Sequence, residues 1–149
     1  MRTRRRISPI VMTIVLFVTV VLVSFQRKPS FPAGVWYLNS IHKAGAGKVL
    51  DVPGRMSVFL EVSDSSFAGS SECNSFSGQS RVKGDSITFI SVVGSKTYCS
   101  GIKNDIESIL FLGSMPGRAG FRTVRDSLIL ASEKGYAFHF SRSSGNKDQ

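Results

Sequence analysis

Two cysteines, Cys73 and Cys99, stand 26 positions apart, and the chain has no others. The first lies in Glu72-Cys73-Asn74-Ser75-Phe76-Ser77-Gly78, the second closes Ser95-Lys96-Thr97-Tyr98-Cys99. Gly69, Ser70, Ser71, Asn74 and Gly78 are small or turn-forming and surround the aromatic Phe76. That composition predicts a bend between two strands: Asn tolerates the left-handed backbone region, Gly does so freely, and Phe76 can anchor the bend in a core. Any fold must bring these segments together or leave two thiols apart. In an oxidising compartment a single disulfide is the simplest outcome; two free buried thiols are the alternative.

The compartment follows from the charge distribution. The formal net charge is +9, but Arg2, Arg4, Arg5, Arg6, Arg27 and Lys28 supply much of it, and no acid occurs among the first 30 residues. The rest is only mildly basic, its charges scattered, which is no footprint for a nucleic-acid backbone. Between the basic groups, residues 10–25 are apolar or hydroxylic without a single charge. A positive cluster before an apolar run is an export signal, with the cluster kept on the cytoplasmic side. Sixteen helical residues reach roughly 24 Å, a little short of a hydrocarbon core; including Ile7-Ser8-Pro9 makes a span feasible. Ser24 preceded by Leu22 is a poor cleavage site, so an uncleaved anchor is favoured over a cleaved signal. The expected organisation is a basic cytoplasmic tail (1–6), a signal anchor (7–26), a linker (27–34), one folded domain (35–142) and a polar tail (143–149).

Within the domain the dominant pattern has period two. Val58, Leu60 and Val62 share one face, opposite Phe59 and Glu61; Ile87 and Phe89 oppose Thr88. Turns are expected at Asp64-Ser65-Ser66, Lys83-Gly84-Asp85, Arg125-Asp126-Ser127 and Ser132-Glu133-Lys134-Gly135, with Trp36 as a core anchor in a first strand. Lys43 to Lys48 lacks the spacing of a phosphate-cradling loop and reads as a mobile surface loop. One segment breaks the rhythm: Ile102, Ile106, Ile109 and Leu110 fall on one side of a helix, with Asn104 and Glu107 placed for a capping box and Gly113 for a left-handed end. The expected fold class is α+β, mainly β: an antiparallel curved sheet or partial barrel of short strands with one packed helix.

Chemistry is sparse. A metal site would have to collect Cys73, Cys99, His42 and His139 from distant segments without ligand spacing, and none is expected. His139, between Phe138 and Phe140, and His42, beside a loop, read as solvent-facing or edge histidines. No serine sits in a nucleophile elbow and no carboxylates pair, so neither a catalytic residue nor a cofactor is expected. Phe59 and Tyr98, on faces assigned away from the core, are the candidates for a binding surface.

The spacing C-N-x-F-x-G, followed about twenty residues later by [ST]-x-x-x-C, resembles the META-domain family, the HslJ-like proteins. Val35-Trp36-Tyr37-Leu38, Leu128-Ile129-Leu130 and Tyr136 to Phe140 extend the resemblance over roughly residues 34–142. The chain departs from the family at Glu72, where Gly is commoner, and at Thr97-Tyr98, where Met and a small residue are common. The resemblance implies that Asn74, Phe76, Gly78 and Ser95 are structural motif residues. It also implies association with heat-shock or envelope-stress responses, antibiotic tolerance and, in some parasites, virulence and motility, with no reaction attributed to the domain. The expected function is a non-catalytic, membrane-tethered extracytoplasmic binding module for an envelope protein, peptide or lipid-like ligand, with no nucleic-acid partner. The alternative is a small extracytoplasmic inhibitor or hydrolase acting on cell-wall or protein substrates.

Overall fold

A computed structural model describes residues 31–54, 56–63 and 65–142. The expected tail, anchor and C-terminal segment, and Asp64 of one expected turn, lie outside them. Among the described residues no helix is long and apolar enough to cross a membrane.

Nine strands follow one another among the described residues: β1 (Gly34–Lys43), β2 (Gly47–Asp51), β3 (Val58–Val62), β4 (Ser66–Ser71), β5 (Ser75–Lys83), β6 (Ser86–Gly94), β7 (Gly117–Val124), β8 (Ser127–Ser132) and β9 (Tyr136–Ser141). Among the described residues one helix, α1 (Ile102–Gly113), joins β6 to β7. All pairings are antiparallel. β1 meets β3 through Gly34–Tyr37 and β9 through Tyr37–Lys43, so eight strands close on themselves. β2 continues the sheet beside the far half of β1. The sheet is therefore a closed barrel and not the partial one expected. Short runs of alternation in the sequence hid this, because bulges between Ile41 and His42 and between Gln79 and Ser80 break the period inside strands as long as ten and nine residues.

The interior is filled by the inward alternate of the barrel strands, β2 contributing no buried residue. Trp36, Ile41, Leu60, Ile87, Phe89, Leu128, Leu130 and Phe138 are almost fully removed from water. Phe67 meets Phe89 edge to face at 4.8 Å. Burial of this apolar set drives closure; β2 lies outside the closed ring, and β7 pairs with only the Ser86–Phe89 part of β6.

The two mouths are closed differently. At one, α1 lies by the β4–β5 turn and the start of β9, with Ile106 and Leu110 buried. Phe111 stacks edge to face on Phe76 at 5.7 Å. A side chain on Gly113 would press on Tyr136 and Phe138. At the other mouth Phe31 is buried against Phe121, ring centroids 4.8 Å apart. There Trp36 donates its indole N–H to the Pro32 carbonyl at 2.9 Å, and Arg142 lies over the indole ring at 3.9 Å. The last residues of the expected linker thus belong to the folded body.

The helix ends also differ from expectation. Its N-cap is Gly101, in a positive-φ conformation, with no side-chain cap. Asn104 lies inside the first turn and donates its backbone N–H to the Gly101 carbonyl. Glu107, freed from any capping box, points elsewhere. Gly113 ends the helix with an ordinary φ, its lack of a side chain serving close packing. Ile102 is exposed, not part of the buried stripe. Lys43 to Lys48 is a tight turn leading into β2, not a loose loop.

Candidate functional site

The bend between β4 and β5 occupies Glu72, Cys73 and Asn74. The left-handed residue is Glu72, with φ 73°, and not Asn74. This explains why glycine suits the position: a side chain there crowds the following carbonyl. Glu72 is held by contacts of its own. Its N–H donates to Ser70 Oγ at 3.0 Å, its carboxylate accepts from the Ser57 N–H at 2.6 Å, and Lys103 Nζ approaches it to 3.9 Å.

Cys73 and Cys99 are joined in a disulfide, Cα atoms 6.1 Å apart. Around it four segments meet on one side chain, Asn74, which is 2% exposed. Asn74 Nδ2 donates to the Thr97 carbonyl at 3.0 Å and to both Glu107 carboxylate oxygens at 2.9 Å. Asn74 Oδ1 accepts from the Thr97 N–H at 2.7 Å and from Ser95 Oγ at 2.9 Å. The side-chain amide pairs with the Thr97 backbone as a neighbouring strand would, using every hydrogen-bonding direction an amide has. Ser71, wholly buried, donates to the Asn74 carbonyl, accepts its N–H at 3.2 Å and reaches Glu107. Glu107 Oε2 also lies 3.0 Å from Cys99 Sγ.

Motif spacing pointed to Asn74 and Ser95; Ser71 and Glu107 were missed. Glu107 was assigned to the helix cap because it stands three residues after Asn104. The available signal is its place three residues before Leu110, at the border of the apolar stripe. Phe76 is buried between Phe67 and Phe111. A Cβ on Gly78 would run into the Ser91 carbonyl and lie 2.8 Å from two Phe67 ring carbons, so only glycine lets β5 and β6 approach there.

These contacts fix the loop from Ser95 to Ser100 from both sides. Thr97 is pinned by Asn74 and Cys99 by the disulfide, while Tyr98 between them is 91% exposed. Val93, 67% exposed, and Ser95 line a shallow depression of about 500 Å³ with Phe59, Glu61, Ala68 and Ser77 on the outer face of β3 to β6. Phe59 is half-buried there, 6.3 Å from Tyr37. The concave side of the sheet is the packed interior, so among the described residues no groove opens between it and α1.

The four residues weighed for a metal are not gathered. His42 and His139 stack on each other outside β1 and β9, centroids 4.4 Å apart, with Ser40 Oγ 3.3 Å from His42 Nε2. Desolvation lowers the His139 pKa, helped by the positive charges of His42 and Arg122. Cys73, Cys99 and Glu107 place ligand atoms within 4.8 Å of one another, but the sulfurs are bonded together and neither is a thiolate.

Two solved structures share this fold. An NMR structure of a protein from Burkholderia xenovorans matches with a TM-score of 0.61 and 18% identity, covering 80% of this chain and 97% of that one. A second NMR structure matches with a TM-score of 0.58 and 15% identity, covering 75% and 91%. At such identities the likeness concerns the fold alone. No curated protein matches the chain. The sequence model of the META domain matches residues 30–145, the whole barrel with both its mouths. The chain belongs to the META-domain family.

Proposed function

We propose that this protein is a non-catalytic accessory module, tethered by its N-terminal apolar segment on the far side of a membrane, that works by contact with a partner. The single observation behind this reading is the fixed loop carrying Tyr98. Recognition is strongest where an aromatic anchor is held rigid before binding, since little ordering entropy is then lost on contact. Tyr98 stands in water between two immobilised neighbours, and Val93 and Phe59 extend an apolar strip near the loop's base. Membership of a family linked to stress and accessory roles agrees with such a module. The polar side chains that do converge, Ser71, Asn74 and Glu107, are engaged in holding the loop, which favours contact over catalysis.

Tether and disulfide support each other, because a bond between the only two cysteines suits an oxidising compartment. The inhibitor alternative fits the same loop, with Ser95–Ser100 and not Glu72–Gly78 as the presented segment. Affinity capture from envelope extracts with the full chain tests the reading. A partner should be retained by wild type and lost from Tyr98→Ser at unchanged thermal stability. A partner set identical in wild type, Tyr98→Ser and Phe59→Ser would remove both residues from the interface.

A further inference from the structure

Three cations converge on the outside of β5 to β7, on a surface distinct from the Tyr98 loop. Register places Arg81 opposite Thr88, and Thr88 opposite Arg118, so the three form one row across adjacent strands. The next outward row holds Lys83, Ser86 and Gly120. Ile87 and Phe89 point inward and are fully buried, which turns Ser86 and Thr88 outward between the cations. Together they line an open depression of about 420 Å³ in which no carboxylate takes part. Arg118 Nη2 donates to Ser86 Oγ at 3.3 Å, which steadies the guanidinium over the floor. Ser86 in turn donates to the Lys83 carbonyl at 2.9 Å. Gly84 completes the lining, with nothing within 4 Å of where a Cβ would stand. Two ion pairs form among the described residues, and none of these three cations enters either.

We propose that this depression binds a phosphate-bearing anion, with Arg81, Lys83 and Arg118 as the charged wall and Thr88 as a hydroxyl donor. A planar guanidinium on each side of a hydroxyl offers paired N–H donors converging on one tetrahedral oxyanion, a geometry suited to phosphate esters. Two rows of strand residues are too short to follow a nucleic-acid backbone but match one or two phosphate groups. The site lies at the mouth where Phe31 enters, since the Asp85 carbonyl beside it accepts the N–H of Phe121, the ring that packs on Phe31. The phosphate can therefore come from a soluble polyphosphate or from a lipid headgroup near the point of attachment. The proposal does not rest on the Tyr98 reading and can fail separately from it.

The test uses the full chain in non-ionic detergent, titrated at low salt with inorganic pyrophosphate, short-chain phosphatidylglycerol and short-chain phosphatidylcholine. Amide resonances of Ser86, Thr88 and Arg118 report binding. Saturable shifts with pyrophosphate support a soluble source; shifts with phosphatidylglycerol but not pyrophosphate support a headgroup. In either case the Arg81→Gln, Arg118→Gln double variant should weaken binding by about tenfold or more, while Lys134→Gln, on the β8–β9 turn, leaves it unchanged. No saturable shift with either probe, equal response to phosphatidylcholine, or equal affinity in the double variant would overturn the proposal.

Discussion

Asn74 occupies a position that few side chains could fill. Two donors face the Thr97 carbonyl and Glu107, and two acceptor directions face Ser95 and the Thr97 N–H. Aspartate has nearly the same shape but no donor, and would set a second negative oxygen against a carbonyl and a carboxylate. Asn74→Asp should therefore lower stability at neutral pH by roughly 3–5 kcal/mol, the cost of leaving a buried charge unpaired, as read from urea unfolding. A loss within the scatter of ordinary surface changes would show that the cluster is not desolvated. The motif that carries Asn74, Phe76, Gly78 and Ser95 was legible because each answers a steric or hydrogen-bonding demand expressed at fixed spacing. Glu107 was not, because its partners are 33 and 8 residues away and its local spacing satisfied a different rule equally well.

At the level of elements, the disulfide closes the segment containing β5, β6 and the Tyr98 loop. In the chain-entropy account, replacing both cysteines by serine should cost roughly 3.5 kcal/mol, read from urea unfolding with midpoint and slope both fitted, since opening the loop expands the unfolded chain. A change below about 1 kcal/mol would mean that residual structure already restrains the reduced, unfolded chain. The β1–β9 pair carries a second expectation. The His139 pKa is lowered in the folded state, by desolvation first and then by His42 and Arg122. As pH falls below 6.5, the unfolded chain takes up a proton more readily than the folded one, so stability declines; above 6.5 the effect vanishes. Thermal midpoints from pH 7.5 to 5 should fall less steeply in His139→Gln than in wild type, and parallel slopes would exclude this contribution. Hairpins and α1 were readable from alternation and from a 3.6-residue stripe. The helix termini were not, because α1 starts on a glycine conformation and stops on a packing contact, neither of which has a side-chain signature.

For the whole molecule, closure was the feature hidden from the sequence. Nothing local in β1 reveals that it pairs with β3, β2 and β9 at once; that depends on contacts spanning the length of the domain. Closure has a functional consequence, because a barrel filled with side chains meets partners only on its outside and along its loops. Recognition is therefore proposed at the rigid loop presenting Tyr98, with the body held, as proposed above, on the far side of a membrane. Site-specific photo-cross-linking from position 98 in intact cells tests this most directly, with position 134 as an exposed control. A discrete cross-linked species from position 98 and none from position 134 is the predicted result; no product from position 98, or the same products from both, would contradict it.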